Sequence, residues 1–199
     1  MELCGAIDDL CLRQNLFKWP AANQEPDMGL RLRLAQRQDI PQLVAVERSA
    51  AQLFRQQQEW QFIAEGEVMS PQQHVDFIAQ QREWVMVSPT EQIAGFIAVQ
   101  PFPHSWHIAE LSVAADWQRK GVGKRLIDEV AGLALRQGVQ RLTLTTFVQV
   151  AWNAPYYQRL GFRTIPVARL DAYLQHLLAR EVGQGFAANS RCAMEFTLS

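Results

Sequence analysis

Residues Gln118-Arg119-Lys120-Gly121-Val122-Gly123-Lys124 place two glycines among cations, with Arg125 adding a further charge. Two bare backbone positions let a ligand approach the main chain, and the surrounding charges favour an anion. Before this stretch, His107-Ile108-Ala109-Glu110-Leu111-Ser112-Val113 reads as a half-buried strand. After it, Val122, Leu126, Val130 and Ala134 recur at helical spacing, and Ile127 and Leu133 widen the apolar face. A strand therefore turns into a helix at the glycines, where unpaired N–H groups and the positive end of the helix dipole add to the cations. The chemistry this can do is to grip a pyrophosphate or a similar anion. Two common phosphate loops do not fit. A Walker loop ending at Gly123-Lys124 needs Gly at 118 and Ser or Thr at 125, where Gln118 and Arg125 stand; a dinucleotide fingerprint from Gly121 needs Gly where Leu126 stands.

Gln118-x-x-Gly121-x-Gly123, placed after Leu111-Ser112-Val113, resembles the acyl-CoA-binding motif of the GNAT N-acetyltransferase family, Gln/Arg-x-x-Gly-x-Gly/Ala. A second segment follows downstream, Trp152-Asn153-Ala154-Pro155-Tyr156-Tyr157-Gln158-Arg159-Leu160-Gly161-Phe162. A local account needs no function: Asn153 can cap a short helix, Pro155 suits its first turn, and Gly161 can close it in the left-handed conformation. Yet Tyr157-x-x-x-Gly161-Phe162 also resembles the family segment in which a tyrosine lies beside the CoA sulfur and the preceding Asn helps hold the cofactor. The resemblance runs from about Leu30 to Phe162. It implies an α+β, three-layer fold with a mixed, partly splayed sheet flanked by helices. It implies acetyl-CoA as co-substrate, without a metal, held by Leu111, Ser112, Val113, Gln118, Arg119, Lys120, Gly121, Val122, Gly123, Lys124, Asn153 and Tyr157. It also implies that the Val113 N–H binds the thioester carbonyl, with direct transfer to an amine in a ternary complex.

Acyl transfer from a thioester to an amine needs a base for the amine, a donor for the carbonyl oxygen and an acid for the departing thiolate. Tyr157 is the candidate acid, since an unperturbed phenol titrates near an alkyl thiol or somewhat above. Tyr156 is its weaker neighbour. Glu110 is the candidate base, acting through water, because a carboxylate among apolar residues has a raised pKa. An exposed or salt-bridged strand glutamate is the alternative at that position. His107 and His104 stand in reserve, and Cys192 as an acyl-carrying nucleophile has no base placed near it by the sequence.

The elements that must position these groups follow the chain. Residues 1–29 form an N-terminal extension, with a short amphipathic helix at Leu10–Phe17 and a linker from Trp19 to Pro26. Residues 30–199 form the domain, with a core over 30–165, an inserted helix at about 168–182 and a last strand at about 191–197. Leu30–Leu34 alternates as a strand; Asp39 is placed to cap a helix with Pro41 in its first turn, ending near Phe54. Ser70-Pro71 opens a second helix, and strands follow at Trp84–Val87 and Ile93–Val99. Gly138 closes the helix after the anion loop, and Leu142 and Leu144 alternate with Thr143 and Thr145 in the next strand. The inserted helix is a wall of the domain or the surface of a homodimer.

Several function classes are excluded. A net charge of −1 gives no basic excess for nucleic acid. No basic n-region with an apolar core opens the chain, and no apolar run reaches membrane-spanning length. Cys4, Cys11 and Cys192 are odd in number, lack metal-ligand spacing and fit free thiols in a reducing, cytoplasmic compartment. The expected activity is an N-acetyltransferase acting on the amine of a small molecule or peptide, and Glu59, Glu65 and Glu67 favour a cationic acceptor. Its rivals are a non-catalytic CoA-binding or regulatory module and a nucleotide-binding protein with an atypical loop.

Overall fold

Alternation at the start of the domain produces β1 (Arg31–Leu34), which pairs antiparallel with β2 (Glu83–Val87). The computed structural model describes residues 28–56 and 61–199, so the helix and linker expected before Pro26 lie outside the described residues. Between β1 and β2 run α1 (Ile40–Ala51), the short α2 (Gln61–Ala64) and α3 (Pro71–Ala79). β3 (Ile93–Pro101) and β4 (Ser105–Val113) extend an antiparallel meander, and α4 (Val122–Arg136) crosses to the parallel strand β5 (Arg141–Phe147). α5 (Ala154–Arg159), β6 (Arg163–Thr164), α6 (Ala172–Gly183) and β7 (Arg191–Thr197) complete the chain, and the sheet order is β1-β2-β3-β4-β5-β7-β6.

The sheet is the middle of three layers. On one face α4 buries Leu126, Ile127 and Val130 against Trp106, Ile97 and Leu142. On the other face α1 seats Leu43 and Val46 with Val85 and Phe96. α6 covers that second face over β5 and β7: its Leu174 and Leu177 pack on Ile165 and Ala193, and its Tyr173 meets the His107 ring edge-on at 5.3 Å. The inserted helix is thus a wall of the domain. Among the described residues, no helix is long and apolar enough to cross a membrane.

One irregularity sets which way β4 faces. Ala98 pairs with Glu110 and Val99 with Ile108, so Ala109 is an extra residue in β4. A single inserted residue reverses the side-chain alternation beyond it. His107 before the bulge faces the α1–α6 layer; with the bulge, Glu110 and Ser112 share that face, while Leu111 and Val113 turn to α4.

The helix caps divide. Ser70 accepts from the Gln73 N–H and Gln73 reciprocates, as a capping box. Asp39 precedes α1 but makes no side-chain cap to it. Its carboxylate instead takes Arg33 at 2.6 and 2.9 Å and the Gln36 N–H at 2.8 Å, because an arginine from β1 reaches it first. Burial alone would raise the Asp39 carboxyl, but Arg33 and the Gln36 N–H hold it below its ordinary value. A depressed carboxylate stabilises the fold above its unfolded pKa, and that contribution is lost as pH falls through the folded value. Asp39→Asn is therefore expected to lower stability by about 1–3 kcal/mol at neutral pH. Thermal melts should show the gap to wild type closing below about pH 4, and a gap independent of pH would contradict the ion-pair account.

Candidate active site

β4 and β5 are bonded only at Ser105, Trp106 and His107, opposite Arg141, Leu142 and Thr143. Beyond these rungs the strands part, and the second half of β4 lines a split in the sheet. The Ala114 N–H donates to Ala94 on β3 at 2.9 Å. By strand alternation the N–H and C=O of Val113 turn the other way, toward the split. The Val113 carbonyl is taken by Gln118 Nε2 at 3.0 Å, which ties the loop to the strand end. Ser49 Oγ of α1 accepts from the Ala115 N–H at 2.9 Å and anchors the same corner.

The loop between β4 and α4 is shaped by two left-handed residues, Arg119 at φ 58° and Gly121 at φ 80°. The Arg125 N–H donates to the Gly121 carbonyl at 2.9 Å as the helix opens, and the Val122 and Gly123 N–H groups before it have no acceptor inside the helix. Arg119 and Lys120 are exposed, and Lys120 lies 5.4 Å from the Trp117 ring centre. Lys124 pairs with Asp128 one helical turn on, at 2.6 Å. Gly123 has a further reason to be glycine: a Cβ there would stand 3.1 Å from the Tyr156 hydroxyl and 3.6 Å from Val113 Cγ2. Tyr156 therefore leans on the start of α4.

Asn153 stands at the N-cap of α5, and its carbonyl accepts from the Tyr157 N–H at 3.0 Å. Its side chain makes no cap, contrary to the local expectation, because its backbone turns at φ −113°, ψ −114°. Asn153 Oδ1 is buried without a hydrogen-bond partner. That is an acceptor open to a ligand donor. Tyr157 packs edge-on against Phe162 at 5.6 Å and Tyr156 at 5.3 Å. Burial, then the Tyr156 and Glu110 charges, push its phenol above its ordinary value, against Arg191. Tyr157 stays protonated at neutral pH, able to donate but not to act as a base.

Glu110 accepts from the Ser112 hydroxyl at 2.7 Å. Burial raises its pKa, opposed by Ser112, the Leu111 N–H, His74 and Arg191. A second carboxylate faces it from α1: Glu47, whose two oxygens both accept from the Met69 N–H at 3.1 Å. Burial, then the charge of Glu110, raise Glu47 to about 8. Glu110 has more donors and cations near it than Glu47, which favours Glu110 as the member of the pair that ionises first. The sequence reading missed Glu47. The signal was there, since Glu47 falls one turn after Leu43 on the apolar stripe of α1.

The other sequence candidates lie elsewhere or are poorly suited. His107 is buried on Thr143 Oγ1 at 3.1 Å, and burial lowers its pKa to about 4. His104 is exposed on the turn before β4. Cys192 is half-buried in β7, and burial raises its thiol. Glu65 and Glu67 are exposed, and Glu59 lies outside the described residues. Among the described residues no group of His, Cys, Asp and Glu could hold a metal.

Comparison with known proteins gives the family of this parted sheet. Residues 48–162 match the acetyltransferase (GNAT) family, and the chain belongs to it. Solved structures share the fold at low identity. The PaiA N-acetyltransferase of Thermoplasma acidophilum, in complex with coenzyme A, is 16% identical with a TM-score of 0.62, over 84% of this chain and 98% of that one. The ribosomal-protein-S18-alanine N-acetyltransferase of Escherichia coli is 16% identical with a TM-score of 0.61, over 85% and 94%. The N-acetylglutamate synthase of Neisseria gonorrhoeae, complexed with coenzyme A and N-acetyl-glutamate, is 19% identical with a TM-score of 0.61; the match spans 85% of this chain but 35% of that one.

The carboxylate pair gives a signed expectation. A glutamate raised to about 8 in the fold keeps its proton while the unfolded chain loses it. Its contribution is full below the unfolded pKa and is lost as pH rises through the folded value. Glu47→Gln should therefore gain stability relative to wild type between about pH 5 and 8, as read by thermal melts. It should also keep the acidic limb of the pH–rate profile, because Gln mimics the protonated acid. A relative stability flat across that range would contradict the assignment of the proton to Glu47.

Proposed function

We propose that the protein transfers an acetyl group from acetyl-CoA to the primary amine of a small molecule or peptide, directly and within a ternary complex. The observation that carries this is the grouping of three features: the glycine loop after β4, the Val113 N–H turned into the gap, and Glu110 close enough for its charge to act on Tyr157. Acetyl-CoA would supply the activated acyl group as a thioester. The Val122 and Gly123 N–H groups, Arg119 and Lys120 suit its pyrophosphate, and Asn153 Oδ1 suits an amide N–H of its pantetheine arm. Leu111 and Ser112 complete the strand edge along which that arm would run.

In this account the Val113 N–H donates to the thioester carbonyl as negative charge builds on its oxygen. Glu110, ionised with Glu47 holding its proton, takes a proton from the incoming ammonium, directly or through water. The neutral amine attacks the carbonyl carbon, the C–S bond breaks as Tyr157 O–H donates to the departing thiolate, and the extra proton left on the nitrogen returns to the Tyr157 oxygen, directly or through water. Two carboxylates with separated pKa values can supply such a base near neutrality without a histidine.

Acetyl-CoA and CoA are expected to raise the melting temperature by mass action, and NAD or ATP to do so much less. Gly121→Val should weaken CoA binding, because a β-branched residue resists φ 80°. Equal protection by ATP and none by acetyl-CoA would sink the cofactor assignment. CoA binding with no thiol release toward any amine would leave a binding module of the same fold. Tyr157→Phe keeps the ring contacts and removes the donor, so kcat should fall about tenfold or more with CoA affinity little changed. Full activity in that variant would assign the acid to water or another group.

A further inference from the structure

A cavity of about 350 Å³ lies between α2, the end of β5 and the connection from α6 to β7. Its lining includes Phe62, Phe186, Gln149, Asn189 and Ser190, and no lining side chain carries a charge. The volume lies in the range of small-molecule sites, about 300–1,000 Å³. Aromatic rings continue from it toward the split. Phe186 meets Phe147 edge-on at 5.3 Å, Phe147 meets Phe54 at 6.0 Å, and Phe54 meets Trp152 at 5.5 Å, next to Asn153. Phe62 closes the outer side at 5.9 Å from Phe186.

Two further observations select the ligand. Four large apolar side chains are exposed among the described residues, and three of them, Phe62 at 52%, Val182 at 43% and Val148 at 40%, sit on the elements that frame this cavity. Clustered exposed apolar surface marks a place where something apolar docks. The cation nearest the wall is Arg191, stacked 4.4 Å from the Phe147 ring centre and 5.5 Å from that of Phe186. Its guanidinium is taken by Glu181 at 2.8 and 2.9 Å, and Thr145 also donates to Glu181 at 2.7 Å. An acceptor carboxylate would meet a cation already neutralised. The charge of Arg191 also acts on Glu110 and on Tyr157, so the candidate base and acid lie within electrostatic reach of this wall, and Glu110 with Glu47 suits an ammonium.

Resting on the amine-acetylation reading, we infer that the acceptor is a primary amine carried on an aromatic or other large apolar body, its ammonium toward Glu110 and its body against Phe62 and Phe186. Neither a free amino acid nor a short diamine matches that surface. An amino acid brings a carboxylate beside its amine, and a diamine brings a second charge into a neutral aromatic wall.

The test is steady-state thiol release from acetyl-CoA by the full chain, with 2-phenylethylamine, 1,4-diaminobutane, glutamate and a dipeptide. The expected result is a kcat/KM for 2-phenylethylamine about tenfold or more above the others, in line with the worth of a buried aromatic face. Phe62→Ala, at a half-exposed position, should raise KM for 2-phenylethylamine several-fold, with a thermal melt beside it to read any loss of the Phe186 contact. Its kcat, its KM for acetyl-CoA and its turnover of methylamine should be unchanged. Preference for the diamine, glutamate or the dipeptide, or an unmoved KM in Phe62→Ala, overturns the apolar acceptor while amine acetylation stands. Absence of thiol release with every amine overturns the acetylation reading itself, and this inference with it.

Discussion

The single extra residue at Ala109 is the constraint on which the site depends. A regular β4 would carry Glu110 to the α4 face, into the packing around Leu126 and Trp106, and would leave Leu111 opposite α1. The bulge sends Glu110 to the face occupied by Glu47 and turns Val113 toward α4. It also lies where the parallel ladder to β5 ends, after His107. Bulges bend and twist the strand that carries them. A strand that leaves its partner exposes backbone groups that must be satisfied elsewhere, at roughly 1–3 kcal/mol for each one left buried and unpaired. Here Gln118 satisfies the Val113 carbonyl, and in the proposed reaction the substrate carbonyl would satisfy its N–H.

The same face collects acidic groups at some cost in stability. His74 and Glu83 form a fully buried pair at 2.7 Å, in which His74 Nε2 and Glu83 Oε2 have no partner. Burial raises Glu83, and its charge in turn helps raise Glu47. Carboxylates stacked behind one another under α1 and α3 cannot all ionise together, so a proton is held within the layer near neutral pH. Such a layer is a poor way to build a core. In the proposed reaction it would leave Glu110, its pKa raised by burial, as the base for the amine.

What the sequence disclosed was local chemistry. The loop between β4 and α4, the order of strands and helices, the Ser70 cap and the left-handed glycines at 121, 138 and 161 are all determined within a few residues. What it hid was tertiary. Asp39 looked like a cap and is an ion-pair partner, because Arg33 arrives from a neighbouring strand. Asn153 occupies a capping position without capping, because the backbone angle there turns its side chain away. Gly123 looked like a door for a ligand and also makes room for Tyr156, a contact made across the fold. Glu47 drew no reading from the sequence, because only α1 laid across the end of β4 brings it to that face. The aromatic wall joins residues from four separated stretches, and no spacing rule links them.

The most direct measurement is a crystal structure of the protein with coenzyme A or a non-reactive acetyl-CoA analogue. The account predicts the pyrophosphate on the backbone N–H groups after Arg119 and the analogue carbonyl within hydrogen-bond distance of the Val113 N–H, between β4 and β5. A cofactor lying outside the split, or a carbonyl turned away from Val113 with Glu110 out of reach of the reacting carbon, would contradict it.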